Sequence, residues 1–209
     1  MKYSREYILR RAFDVFMQKG YDSASISVLQ KELCMSRGAM YRYFDNKEDL
    51  FRAVIDEYFF KLFERYLYKM DKQHDYTVDQ FIKITYRRQK LIVNVFVKAG
   101  VTHLVFLNYT ALMIQAVKYY PEFIVRFNDI NKLLISHWQQ ALKNSIKQKE
   151  VRSDIDIDIM GILFNNVCIK ESSSHDCEID DKEIFSINIL QDINRRKQVI
   201  DYLYSLIKI

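Results

Sequence analysis

The sequence predicts an all-α fold. Its 209 residues include four glycines and one proline, too few to form the many tight turns of a β-sandwich or a Rossmann sheet. Apolar residues recur at helical spacing along most of the chain, and the period-two alternation at Asp154–Ile159 has no partner strand in the sequence. With 49% hydrophobic and 28% charged residues, the chain is globular in composition and not a disordered polyelectrolyte.

Three short helices are expected before residue 47. The first spans Tyr3–Lys19 and is followed by Gly20, which suits the left-handed residue that ends many helices. Ser25 is a candidate N-cap for a second helix of little more than two turns, and Ser36 for a third. Cys34 lies in a link between them that is too short to form a loop.

A larger helical region is expected to follow. A fourth helix from about Asn46 to Met70 carries apolar side chains on more than one stripe, which predicts packing against two bodies. The later helices are expected at Val78–Lys98, Val101–Lys118, Pro121–Lys149, after an N-cap at Asp156, and along the C-terminal seam that ends at Ile207. The segment Glu171–Glu183 holds six acidic residues and one lysine and is expected to be a solvated loop.

Charge and cysteine content leave the function open but indicate a compartment. The net charge of +5 is modest, and residues 1–52 hold +3 of it, from ten basic and seven acidic side chains. Three cysteines without a disulfide spacing and a polar N-terminus predict a cytoplasmic protein. The apolar stretch Leu91–Val117 is interrupted by polar side chains throughout, so we expect core helices there and no membrane partner.

Two short helices joined by a tight turn form a helix-turn-helix, whose second helix can enter the major groove of DNA. Cationic and hydroxyl donors fix such a domain on phosphates, whereas bidentate donors and a close backbone approach read base edges. The candidate phosphate contacts are Ser25, Ser36, Tyr41, Tyr43 and Lys47. The candidates for the base edges are Arg37 and the small residues beside it, Gly38 and Ala39.

The pattern Ile8-x3-Ala12-x3-Phe16-x3-Gly20-Tyr21, followed by Ser36-Arg-Gly-Ala-Met-Tyr-Arg-Tyr-Phe-Asp-Asn-Lys-Glu-Asp-Leu50, resembles the DNA-binding domain of TetR-family transcriptional regulators. The resemblance spans about residues 7–58 and is most specific over residues 38–50. It implies an N-terminal three-helix helix-turn-helix domain, residues 1–46, joined to a larger helical-bundle ligand-binding and dimerisation domain, residues 47–209. The short motif at residues 152–156 is similar to one that precedes the family's penultimate helix.

The resemblance also assigns roles residue by residue. It implies that Ser36, Tyr41, Tyr43 and Lys47 anchor phosphates and that Arg37, Gly38, Ala39 and Arg42 face bases or the groove wall. Two positions depart from the family pattern. Gln30 stands where alanine is usual, and Cys34 stands at the turn where glycine is usual. We expect a slightly adjusted turn with DNA binding retained.

The sequence therefore predicts a sequence-specific DNA-binding regulator. We expect a homodimeric repressor that leaves a palindromic, double-stranded operator when a small molecule binds. Catalysis, a metal and a cofactor are not expected: the four histidines lack a Glu-x-x-His pair, and Cys168, His175 and Cys177 lack a paired ligand spacing. A helical protein-interaction adaptor without ligand response, contacting its partner through Glu171–Glu183, is the alternative.

Two further sites are expected in the C-terminal region. Aromatic residues interleaved with polar ones such as Gln115 favour an apolar pocket with a few orienting groups. The residues expected to line it are Phe96, His103, Phe106, Asn108, Tyr109 and Trp138. A helical apolar seam near the C-terminus suits either ordinary core or a dimer interface, and the family resemblance, which implies a homodimer built mainly from the last two helices, favours the interface. Its residues are Ile189, Ile193, Ile200, Leu203 and Ile207.

Overall fold

The computed structural model describes residues 3–71, 75–98, 103–169 and 182–209. Within these ranges the chain is helical, and β contact is limited to an isolated antiparallel bridge between Val151 and Lys208. The helices are α1 (Arg5–Ser23), α2 (Ile26–Glu32), α3 (Arg37–Met40), α4 (Lys47–Ile55), a π-helical segment (Asp56–Phe60), α5 (Lys61–Asp71), α6 (Val78–Lys98), α7 (His103–Tyr119), α8 (Phe123–Lys147), α9 (Ile157–Ile169) and α10 (Lys182–Ile207). Among the described residues, no helix combines the length and the hydropathy that are needed to span a bilayer.

Local capping begins the short N-terminal helices where the sequence predicts. Ser25 Oγ accepts from the Val28 amide at 3.3 Å, and Ser36 Oγ accepts from the Ala39 amide at 3.3 Å. Asn46 Oδ1 likewise accepts from an amide of the first turn of α4 at 2.7 Å. Each bond satisfies one of the amides that a helix leaves without an intrahelical partner.

The turn between α2 and α3 keeps a left-handed backbone even though cysteine stands there. Cys34 has φ = 52° and is exposed. Its carbonyl oxygen accepts from the Tyr3 hydroxyl at 2.7 Å, which ties the N-terminal residues to the turn. Gly20 also has a positive φ, 72°, and interrupts the helical geometry of α1 as the sequence predicts. The turn is therefore retained, and the adjustment expected there takes the form of backbone strain at Cys34.

The described chain divides into two compact units. The first comprises residues 1–66 and 104–128, and the second residues 67–103 and 129–209. The predicted division at residue 46/47 falls inside the first unit, where α4 packs on α1: the ring centroids of Phe16 and Phe51 lie 5.1 Å apart, edge to face. The long fourth helix predicted by the sequence also contains the π-helical segment, which its apolar pattern does not indicate.

In the first unit, α7 packs against the N-terminal helices. Gln115 Oε1 accepts from the Tyr21 amide at 2.7 Å, and the Tyr119 and Tyr21 rings stack with centroids 3.9 Å apart. The Tyr109 hydroxyl donates to the Tyr58 carbonyl at 3.2 Å. These bonds attach α7 both to the end of α1 and to the π-helical segment.

In the second unit, α10 packs against α6. The Tyr86 hydroxyl donates to Asn194 Oδ1 at 2.7 Å, and Ile193, Ile200 and Ile207 are only 3–5% exposed. The seam that the sequence assigns to a dimer interface is therefore core within one chain. A helical stripe that is already buried cannot cover a partner, and this corrects the assignment for these three residues. Leu203 is half-buried, and the side chain of Ile189 lies outside the described residues.

The penultimate helix α9 buries one part of its apolar surface and exposes another. Asp156 caps it as predicted, with Oδ1 accepting from the amides of Asp158 and Ile159 at 3.0 Å. Phe164 is fully buried, whereas Ile159 and Leu163 are 56% and 41% exposed. The apolar pattern of α9 runs around much of its circumference, so periodicity alone does not say which side packs.

Candidate nucleic-acid interface

The second helix of the helix-turn-helix presents an exposed edge of backbone and long side chains. Arg37, Gly38, Tyr41 and Arg42 are all exposed. The Arg37 guanidinium carbon lies 5.6 Å from the centroid of the Tyr41 ring, a cation–π arrangement that orders both side chains. A Cβ added at Gly38 would meet nothing within 4 Å, so the first turn of α3 offers open backbone to an approaching partner.

Two of the residues assigned to DNA do not face solvent in this way. Ala39 is 8% exposed and packs inward with Met40, which corrects its assignment to the groove wall. The Tyr43 hydroxyl donates its only proton to the Tyr3 carbonyl at 2.6 Å. Tyr43 can therefore donate to a phosphate only after it releases Tyr3.

The two serines combine capping with exposure. Ser25 and Ser36 are exposed, and each Oγ uses a lone pair to accept an amide at the start of its helix. The hydroxyl proton takes no part in those bonds, so each serine can donate it to a phosphate oxygen while it still caps.

Lys47 begins α4 and is held by Tyr21. Its Nζ donates to the Tyr21 carbonyl at 2.8 Å and lies 4.0 Å from the centroid of the Tyr21 ring. The Tyr21 hydroxyl donates to Glu48 Oε1 at 2.8 Å. The pKa of the Glu48 carboxyl is lowered mainly by this hydrogen bond, and the pKa of the Tyr21 phenol is raised mainly by burial. Carboxylate and phenol therefore stay in their bonded forms at neutral pH.

The residues expected to line the ligand pocket belong to different units. Trp138 belongs to the second unit, where its ring lies between Phe81 and Phe164 with centroids 4.5 and 5.0 Å away. Phe106, Asn108 and Tyr109 belong to the first unit, whereas the side chains of Phe96 and His103 lie outside the described residues. Gln115, which we expected to orient a ligand, instead bonds to the Tyr21 backbone. The pocket stays a prediction.

The last two helices carry an exposed apolar surface that was not predicted from the sequence. Both helices belong to the second unit, and the exposed fractions of these side chains range from 41% to 64%. The residues are Ile159, Ile162 and Leu163 on α9 and Val199, Tyr202 and Leu206 on α10. The signal was present as a second apolar stripe on each helix. The candidate ligands Cys168, His175 and Cys177, like the acidic segment, lie outside the described side chains.

Comparison with known proteins identifies the N-terminal domain. Residues 8–54 match the family described as bacterial regulatory proteins, tetR family. The uncharacterised HTH-type transcriptional regulator YuxN of Bacillus subtilis is 40% identical over 67 residues, which are 32% of this chain and 23% of YuxN. The HTH-type transcriptional regulator UidR of Escherichia coli K12 is 29% identical over 85 residues, 40% of this chain and 43% of UidR. The matches thus span less than half the length of these relatives.

Solved structures extend the likeness of fold to nearly the whole chain. A TetR transcription regulator from Haloarcula marismortui superposes with a TM-score of 0.64 at 13% identity, covering 98% of this chain and 97% of that one. FadR from Bacillus subtilis, solved in complex with stearoyl-CoA, superposes with a TM-score of 0.57 at 16% identity over 97% of this chain and 98% of FadR. Residues 8–54 are thus similar to the tetR family of bacterial regulatory proteins, and the rest of the chain shares with these structures an all-α fold.

Proposed function

We propose that the protein is a sequence-specific DNA-binding transcriptional regulator, a homodimeric repressor that a small molecule releases from its operator. The observation that carries the proposal is the open first turn of α3, where Arg37 is exposed beside the unobstructed backbone of Gly38. A bidentate donor next to a backbone without a side chain suits close approach to base edges in the major groove. The match of residues 8–54 to a family of bacterial regulatory proteins and the similarity of the chain to HTH-type regulators support it.

The proposed phosphate contacts flank this turn. Ser25 and Ser36 each have a hydroxyl proton to donate, Tyr41 is exposed, and Lys47 supplies an ammonium whose two other N–H groups have no acceptor among the described residues. Tyr43 contributes only if its bond to the Tyr3 carbonyl breaks. Contacts of this kind fix the register of a domain on DNA without reading sequence.

We propose that two copies associate through the exposed apolar surface of α9 and α10. Six apolar side chains that are 41–64% exposed form a surface that water disfavours and that a second copy can cover. Two-fold symmetry would then present two recognition helices to half-sites about 34 to 36 Å apart, or somewhat more, so the operator should be a palindrome.

Release from DNA by a small molecule is supported mainly by proteins with a similar fold. FadR was solved with stearoyl-CoA, which makes an amphipathic acyl compound a first probe for this chain. An effector must bind the DNA-free state more tightly than the DNA-bound state, and a differential of about 1 to 3 kcal/mol gives a 5- to 150-fold change in operator affinity.

The test begins with selection of bound fragments from genomic DNA by the full chain. We expect a palindromic motif to emerge and to be retained at moderate salt. An adaptor that binds only protein would retain no DNA, and that outcome would refute the proposal. Operator release is then measured across a panel of hydrophobic metabolites that includes acyl-CoA. A compound that releases the wild type should lose potency with Tyr109→Phe or Trp138→Ala if those residues line its site.

Two substitutions in α3 separate recognition from folding. Arg37→Ala should cost about 1 to 3 kcal/mol on the selected duplex and relax preference at one base position. Gly38→Ala should leave thermal stability equal or higher, since the site is open and alanine favours helix by about 1 kcal/mol, yet should weaken DNA binding by crowding the base edges. Unchanged DNA affinity in both variants would show that α3 does not read the bases.

A further inference from the structure

The Lys47 ammonium is held in place before any phosphate arrives. Of its three N–H groups, one donates to the Tyr21 carbonyl, and the charge lies 4.0 Å from the centroid of the Tyr21 ring. The two remaining N–H groups are available to an external acceptor. A long side chain that is already ordered loses less conformational entropy when it binds, so Tyr21 determines how well Lys47 serves as an anchor.

Tyr21 in turn is fixed by two residues of α7. The backbone leaves helical geometry at Gly20, and the Tyr21 amide donates to Gln115 Oε1 at 2.7 Å. On the ring, Tyr119 stacks at a centroid distance of 3.9 Å, and its own hydroxyl donates to Asp22 Oδ1. Tyr21 thus contacts Lys47 through its carbonyl oxygen and its ring, and it contacts α7 through its amide and its ring.

We propose that Gln115 and Tyr119 are positioning residues for DNA binding, which act by holding Tyr21 and through it the Lys47 ammonium. All four residues and the helices that carry them belong to the same compact unit. The inference rests on the proposed function, because it takes Lys47 as a phosphate anchor. It assigns to α7 a direct influence on DNA affinity through hydrogen bonds and ring stacking at one residue of the DNA-binding domain.

Two other contacts of Tyr21 do not explain an influence of α7 on DNA binding. Tyr21 also contacts Phe51 edge to face at 4.7 Å and Glu48 through its hydroxyl, and both partners lie in α4 itself. Those contacts stabilise the domain but do not connect it to α7. The amide of Tyr21 and the stacked face of its ring are the parts held by α7, so a change at Gln115 or Tyr119 reaches Lys47 without altering α3.

The experiment is a double-mutant cycle on the duplex that the wild type selects. Four proteins are compared: the wild type, Gln115→Met, Lys47→Gln and the double variant. Gln115→Met should weaken binding to every DNA sequence by about 2- to 12-fold, the cost of ordering one long side chain at an interface. Lys47→Gln should weaken binding uniformly and reduce the salt slope by about one. In the Lys47→Gln background, Gln115→Met should cause no further loss.

A second pair of variants grades the contact at Tyr119. Tyr119→Phe keeps the stacked ring and loses the hydroxyl bond to Asp22, so its effect should be smaller than that of Tyr119→Leu, which loses both. Gln140→Met is the matched control, because it removes one side-chain amide bond, to Asn144 at 2.9 Å, in the other unit. It should leave DNA affinity unchanged.

The outcomes separate the two proposals. Equal losses from Gln115→Met with and without Lys47 would show a purely structural role and overturn the inference, as would unchanged affinity in Gln115→Met and Tyr119→Leu. A wild type that binds no DNA would instead overturn the proposed function. If circular dichroism shows that Gln115→Met is unfolded, the same cycle with Tyr119→Leu and Lys47→Gln decides.

Discussion

Arg126, near the start of α8, pairs with Asp56, the first residue of the π-helical segment, and its guanidinium carbon lies 3.9 Å from the centroid of the Phe60 ring at the segment's last residue. The Tyr120 hydroxyl also donates to Asp56 Oδ1, at 2.9 Å. A π-helical turn accommodates one extra residue at a cost in hydrogen-bond geometry and is found mostly as a single turn within α-helices. Contacts at both ends of the turn therefore stabilise it.

Replacing Arg126 should destabilise this segment. Arg126→Met removes two partly exposed ion pairs, with Asp56 and Glu64, and a cation–π contact with Phe60, and together these predict a loss of about 1 kcal/mol. For a chain of this length the loss corresponds to a fall of roughly 2 to 4 °C in Tm. Lys61→Met is the control, since its exposed pair with Glu57 on the same helix contributes about 0.3 to 0.5 kcal/mol. Equal shifts in Tm would contradict the role given to Arg126.

The left-handed turn at Cys34 predicts a stabilising substitution. An L-residue with φ = 52° carries a strain of about 1 to 2 kcal/mol that glycine does not, and part of the gain is offset by the greater freedom of glycine in the unfolded chain. Cys34→Gly should therefore raise stability by roughly 0.5 to 1 kcal/mol in thermal or urea unfolding. Cys34→Ala keeps the strained Cβ and should bring no gain. A loss of stability with glycine would mean that the cysteine side chain contributes more than its weak contact to the Lys31 carbonyl.

Charge on the exposed face of α10 should break the proposed dimer. Tyr202→Glu or Leu206→Glu places a carboxylate on side chains that are 64% and 52% exposed, so the single chain should fold normally while association fails. Sedimentation should then show a folded monomer with little binding to the palindromic operator. Val125→Glu, at 62% exposed in the other unit, is the control and should stay dimeric. A wild type that sediments as a monomer at micromolar concentration would remove the proposal.

Alkaline unfolding should depend on Tyr109. Burial raises the pKa of its phenol well above the ordinary value of 10.0, so the folded chain keeps the proton after the unfolded chain has lost it. Above pH 10 the unfolded state therefore binds fewer protons, and stability falls as the pH rises. Tyr109→Phe removes this titration, and its stability should fall less between pH 9 and pH 11 when both proteins are followed by urea unfolding. Parallel pH profiles would show that Tyr109 does not contribute.

Some of the site followed from the sequence because the interactions that build it are local. Ser25, Ser36 and Asn46 each bond to an amide three residues ahead, so the residue type and the following helical pattern were enough to place the start of each helix. The exposure of Arg37 and Gly38 agrees with the sequence prediction, but Ala39, which was placed with them, is buried like Met40.

Other features were decided by tertiary packing. A sequence pattern shows which stripe of a helix is apolar but does not show what that stripe packs against. The stripe of Ile193, Ile200 and Ile207 suits either a dimer partner or the core of a single chain, and only the fold shows that it is buried within one chain. Gln115 has the composition of a pocket residue, yet its oxygen bonds to the Tyr21 amide, 94 residues earlier. Such contacts depend on which helices come together. The sequence by itself thus determined the helices, their caps and the exposed edge of α3, whereas the tertiary structure decided what each helix face covers.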